Sequence, residues 1–114
     1  MADTFKLVTK AGVTTLDDIY TVASSTTTII IGLLLANTTS SQVTATVTLS
    51  SDTTNRAGAN NEANQDVELV NSVPIPANSS LSVLDGKIIM EATDILKVSA
   101  SGATDVALSI LEQT

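Results

Sequence analysis

The side chains that could do chemistry in this chain are carboxylates, hydroxyls and a few amines, because its 114 residues include neither histidine nor cysteine. That composition removes the commonest general base, thiol nucleophiles, disulfides and zinc sites of the usual ligand types together. Nucleophilic catalysis needs a hydroxyl within reach of a base that a third group orients. Lysine could replace histidine as that base, but Lys87 and Lys97 fall in segments that read as strands, with no helix-borne serine beside them. Glycoside hydrolysis by paired carboxylates is equally ill served, since such sites sit in clefts lined by sugar-stacking aromatics and only Phe5 and Tyr20 are aromatic here. The expectation is a protein that is not an enzyme.

Two acidic groupings invite a hard cation. Asp17-Asp18 is one, and the loop containing Asp52, Asn55, Asn60, Asn61, Glu62, Asn64 and Asp66 is the other. Neither has the Asp-x-Asp-x-Asp-Gly spacing of an EF-hand, so both read as solvated turns, and no metal or other cofactor is expected. The five glycines are isolated and none precedes a helical pattern, so no phosphate-cradling loop is present. Gly12, Gly102 and the Asp85-Gly86 pair mark turns where the backbone takes positive φ or bonds to itself. An isolated tyrosine on a strand, Tyr20, reads first as the edge of a core.

The charge balance excludes further partners. Twelve acidic residues against five basic ones leave a net charge of −7, and the bases Lys6, Lys10, Arg56, Lys87 and Lys97 are scattered. A groove that tracks phosphates or a polybasic membrane anchor would have to be built from isolated charges, so neither nucleic acid nor membrane is an expected partner. The order Met1-Ala2-Asp3-Thr4-Phe5-Lys6 lacks the basic-then-apolar sequence of a secretory signal, and the longest apolar run, Ile29 to Ala36, is far too short to cross a bilayer. That run reads instead as a fully buried central strand.

The elements that would carry these residues are short strands punctuated by polar turns, with no convincing helical period. Strands are expected over Thr4 to Thr9, Ile19 to Val22, Thr28 to Ala36, Val43 to Leu49 and around Val67 and Leu69, then over Leu81 to Leu84, Lys87 to Met90, Ile95 to Ala100 and Asp105 to Glu112. Val43, Ala45, Val47 and Leu49 alternate with Thr44, Thr46 and Thr48, the signature of a half-buried antiparallel strand. Pro74 and Pro76 deprive the end of the fifth strand of amide donors and bar it from a central position. The expectation is all-β: one domain over residues 1–114, a two-layer β-sandwich, jelly-roll or Ig-like, of about eight or nine short antiparallel strands, with residues 1–18 as an N-terminal arm or edge strand. The residues between Ser51 and Gln65 form a long polar loop, and loops of that length in so small a domain are functional or mobile.

The chain is 43% hydrophobic but only 2% aromatic, so the core must be built from Val, Ile, Leu and Ala. Burial at roughly 25 cal/mol per Å² has to offset ordering at roughly 1–2 kcal/mol per residue, and a small aliphatic core leaves a thin margin. Neighbouring chains are therefore expected to supply part of the stability.

Ile19-Tyr20-Thr21-Val22, Leu33 to Thr39 followed by Val43 to Val47, Val73-Pro74-Ile75-Pro76 through Leu81, Leu84-Asp85-Gly86-Lys87 through Glu91, and Asp94 to Ala100 together resemble small virion structural proteins of tailed bacteriophages, a family common in phages of marine and freshwater bacteria, including cyanobacteria. The resemblance runs from about residue 19 to 112, and within it the Leu-Asp-Gly-Lys piece reads as a hairpin. Ala23 stands where the family tends to have proline, and the stretch from Ser51 to Gln65 is longer and more polar than the corresponding hairpin.

The resemblance implies a particle protein present in many copies, made in the host cytoplasm and carried on the virion. Head decoration, neck and tail are all represented in the family. The leading expectation is a decoration or cement protein that binds the major capsid protein or other virion proteins as a homo-oligomer, a trimer by preference. Phe5, Leu7, Val13, Leu16, Ile19 and Tyr20 are its expected interface residues, through edge strands and the first ten residues. The alternatives are a neck or tail structural protein, or an adhesion module that holds a glycan on the loop bearing Asp52, Asn55, Arg56, Asn60, Asn61 and Glu62. The absence of tryptophan counts against the glycan.

Overall fold

The computed structural model describes residues 2–51 and 65–114, and among them the chain is all-β. Nine strands run in the order β1 (Asp3–Val13), β2 (Asp17–Thr21), β3 (Thr27–Asn37), β4 (Val43–Ser51), β5 (Gln65–Ile75), β6 (Ser80–Ser82), β7 (Ile88–Met90), β8 (Ile95–Ala100) and β9 (Thr104–Gln113). They form two antiparallel sheets. One has five strands in the order β1-β9-β3-β6, with β7 also paired to β3, and the other has four in the order β2-β8-β4-β5. The loop residues Asp52, Asn55, Arg56, Asn60, Asn61 and Glu62 lie outside the described residues.

Between the sheets sits an aliphatic core. Ile30, Leu33 and Leu35 of β3 and Val106, Leu108 and Ile110 of β9 meet Val43, Ala45 and Val47 of β4 and Leu96 and Val98 of β8, with Ile75 and Met90 at its ends. A core without an aromatic ring follows directly from a chain that holds one Phe and one Tyr. The alternation of β4 places its threonines Thr44 and Thr46 on the outside, as the period of two requires.

One expectation about turns is corrected. The Asp85-Gly86 turn does not close a hairpin: β6 and β7 are not paired with each other. Both pair with β3, β6 through Ser80–Ser82 against Leu34–Ala36 and β7 through Ile88–Met90 against Thr28–Ile30. They are two pieces of one edge, interrupted over residues 83–87, where the Val83 N–H still donates to Leu33 O (2.9 Å). Of the glycines, Gly12 takes positive φ (67°), whereas Gly102 is required by space, because a Cβ there would stand 2.7 Å from Val43 Cγ1. Left-handed backbone falls also on Ser25, Ser72, Asn78 and Thr93; Asn78 is a residue type that adopts it readily, whereas the β-branched Thr93 does so at a cost.

All the sheet edges are blunted, which bears on how this protein can meet another. Edge strand β1 turns Lys6 and Lys10 toward the sandwich side, where they bridge to Glu112 (2.7 Å) and Asp17 (3.4 Å), and its ladder is bulged between Lys10 and Val13. Edge strand β5 carries Pro74 and two register shifts, β2 is five residues long with a shift at Ile19, and the β6–β7 edge is interrupted. Inward-pointing charges, proline and bulges are the ordinary devices that stop edge-to-edge pairing.

Candidate interaction surface

The two outer faces of the sandwich have opposite chemistry. On the four-stranded sheet, Thr44, Thr46, Lys97 and Ser99 point outward, a polar face. On the five-stranded sheet, register brings large apolar side chains into a row: Phe5 pairs with Leu111, Leu111 with Ile29, and Ile29 with Ile89, across four strands. Phe5 is 75% exposed and Ile89 64%, so the ends of this row stand in water.

The next row along the strands is Leu7, Ser109 and Gly32. Leu7 is 67% exposed. Here β3 carries a bulge between Ile30 and Gly32, and the extra residue, Ile31, adds its exposed side chain to the same region. The row after that, Thr9, Ala107, Leu34 and Ser82, and the one beyond it, with Asp105, Ala36 and Ser80, are built from small residues around the exposed Leu34. Small side chains leave a shallow hollow of about 260 Å³ among Thr9, Ala11, Leu34, Ala36 and Ala107, with Val106 and the charged Lys10 and Asp105 also on its lining. The face is therefore raised at one end and hollow at the other.

This surface also explains the long apolar run. A strand that reads as apolar throughout expects cover on both faces. In β3, Ile30, Leu33 and Leu35 are covered by the opposite sheet, but Ile31 and Leu34 are not. Sequence reading took Ile29 to Ala36 as fully buried and so missed Ile29, Ile31, Leu34, Ile89 and Leu111 as surface. The two-sided apolar pattern of β3 was the signal.

The expected interface residues divide. Phe5 and Leu7 stand on the apolar face, and Leu16 is exposed between β1 and β2. Val13 and Ile19 are corrected: at 3% and 8% exposure they belong to the chain's own core. The positive φ of Gly12, whose N–H donates to Asp105 Oδ1 (2.9 Å), shifts the β1 register so that Val13 turns inward, and a similar shift in β2 turns Ile19 inward.

Tyr20 is half-buried, and its hydroxyl is committed within the chain. It donates to Glu112 Oε2 (2.5 Å) and shares a 2.7 Å hydrogen bond with Thr28 Oγ1, while Lys6 Nζ lies 2.7 Å from Glu112 Oε1. Burial, reinforced by the Glu112 hydrogen bond, pushes the Tyr20 hydroxyl up to about 12, and Lys6, followed by Tyr20, holds the Glu112 carboxyl below its ordinary value. This cluster joins the sheets; Tyr20 is on β2 and its partners are on β9, β3 and β1.

Asp17 engages Lys10, and among the described residues no three His, Cys, Asp or Glu side chains gather to hold a metal ion. The described residues also contain no helix long and apolar enough to cross a membrane.

No family model matches the chain, and no curated protein matches it. A solved structure described as "Bacillus endospore appendages form a novel family of disulfide-linked pili" is similar at 15% identity, over 99% of this chain and 87% of that one, with a TM-score of 0.49. At that distance nothing about role passes from one chain to the other.

Proposed function

We propose that this protein is a non-enzymatic structural subunit of a multi-copy particle, a decoration or cement protein on the virion of a tailed bacteriophage that works as a homo-oligomer. The observation that carries the structural part is the apolar outer face of the five-stranded sheet. Phe5, Leu7, Ile31, Leu34 and Ile89 stand exposed on or beside one face of a chain whose other outer face is polar. Contiguous apolar surface of this kind marks a site of association. The resemblance over residues 19 to 112 supports the virion as the setting, and the lack of histidine and cysteine suits a chemically inert role.

Association of many copies multiplies weak contacts, so each subunit needs only a modest interface to be held firmly on a repeating surface. The test is to mix purified protein with phage particles that lack it and image them. Regular density on heads or tails supports the reading. Bare particles at saturating protein, with the protein folded, overturn the virion assignment.

A further inference from the structure

We propose that the occupant of the apolar face is a second copy of this chain, packed face to face about a two-fold axis that lies between the sheets and runs across the strands at the level of Leu7, Ser109 and Gly32. The inference deepens the structural-subunit reading and rests on it for its setting.

Self-complementarity is the first argument. The large row Phe5–Leu111–Ile29–Ile89 and the small row Thr9–Ala107–Leu34–Ser82 lie on either side of the Leu7–Ser109–Gly32 row. A two-fold axis across the strands preserves strand order and reverses strand direction. It sets each copy's large row over the other's small row, with Leu111 above Ala107 and Phe5 above Thr9 at the rim of the hollow. An isologous contact requires such reciprocity, residue i meeting j while j meets i.

Charge is the second argument. The chain carries −7, and like-charged copies repel wherever their charges meet. The three central rows hold no charged side chain; Asp3 and Asp105 lie in the outermost rows. The same axis places Asp105 opposite Gln113, a neutral amide that can donate to it, so two copies of an acidic protein can close without opposing carboxylates at the centre.

Area is the third. A face of this size is about 20 by 27 Å at ordinary strand spacing. Its exposed apolar side chains offer roughly 500 Å² to water, in the range of patches that mark interaction sites. The face is smaller than the roughly 800 Å² per partner of a standard interface, the size of a modest pairing that many copies on one particle reinforce. The blunted edges leave the face, not edge pairing, as the route to association, and a two-fold pair takes the place of the trimer expected from sequence.

The experiment uses the full chain. Light scattering should give the mass of a dimer, Leu7→Glu the mass of a monomer, and an equimolar mixture of Leu7→Glu and Leu7→Lys a dimer again, because a residue on the axis meets its own counterpart. Leu7 is exposed, so neither variant disturbs the core, and unchanged circular dichroism checks this. Since the chain has no cysteine, Ser109→Cys should also yield a covalent dimer on oxidation, whereas Gln113→Cys, distant from the axis, should not. A wild-type monomer or trimer, or a Leu7→Glu dimer, overturns the two-fold pairing. The same samples are applied to particles: a monomer that decorates them overturns the pairing and leaves the structural reading standing, and a dimer that ignores them does the reverse.

Discussion

The Tyr20 hydroxyl on β2 donates to the Glu112 carboxylate on β9, a bond between strands of opposite sheets separated by 92 positions in the chain. Tyr20 is the only tyrosine, and its ring packs against the aliphatic core while its oxygen reaches Thr28 and Glu112. Tyr20→Phe keeps the ring and removes the bond. We expect a loss of about 1–2 kcal/mol in urea unfolding. Lys6→Ala should cost less, under about 1 kcal/mol, because Lys6 is half exposed and water screens its ion pair. A Tyr20→Phe protein as stable as the parent would show that the hydroxyl contributes nothing to holding the sheets together.

The same cluster sets a pH dependence at both extremes. The folded Tyr20 hydroxyl titrates at about 12, above its ordinary 10.0, so its contribution is complete below pH 10.0 and is lost as pH rises through 12. Glu112 is displaced downward, so its contribution is present above the ordinary carboxylate value and is lost as pH falls through the lower folded value. With a single tyrosine, the absorbance of tyrosinate reports the first directly. A folded midpoint near 10.0 would contradict it, and Tyr20→Phe should remove the alkaline component from the stability profile.

Gly102 faces the side chain of Val43 so closely that a methyl group would lie 2.7 Å from Cγ1. Gly102→Ala should destabilise by about 1–3 kcal/mol through overpacking, and Val43→Ala in the same chain should recover part of that loss. Additive effects in the double-mutant cycle would place the cost elsewhere, in the turn itself.

Asn37, buried at the end of β3, is the hub of one pole of the sandwich. Its Nδ2 donates to the carbonyls of Ser41 (2.9 Å), Ile75 (3.0 Å) and Pro76 (3.1 Å), and its Oδ1 accepts from Thr39 N (2.9 Å) and Thr39 Oγ1 (2.7 Å). Asn37→Asp keeps the shape and replaces the donor with a charge facing carbonyl oxygens. We expect a loss of about 2–4 kcal/mol at neutral pH and a smaller one in acid, where a protonated carboxyl can donate again. Equal losses at both pH values would contradict the donor role.

Much of the architecture was legible because it rests on local rules. The alternation of Val43 to Leu49, the polar clusters at Asn37 to Ser41 and Ala77 to Ser80, and the prolines at 74 and 76 marked strand ends and an edge strand, since side-chain direction and amide loss are properties of the residues themselves. The split β6–β7 edge was not legible: Asp85-Gly86 has hairpin chemistry, but the flanking strands found β3 as their common partner. The inward turn of Val13 and Ile19 depends on register shifts in β1 and β2, and a shift of one residue reverses which side chains face the core.

For the candidate surface the division is sharper. Sequence by itself determined that this chain is all-β, has an aliphatic core, lacks the residues of common catalytic and zinc chemistry, and contains in Ile29 to Ala36 a strand apolar on both sides. Only the tertiary structure decided that one of those sides has no cover, because cover is supplied by strands distant in the chain: the polar-backed sheet of β4 and β8 covers one face of β3, while Phe5, Leu111 and Ile89 arrive in register on the other and leave it facing water.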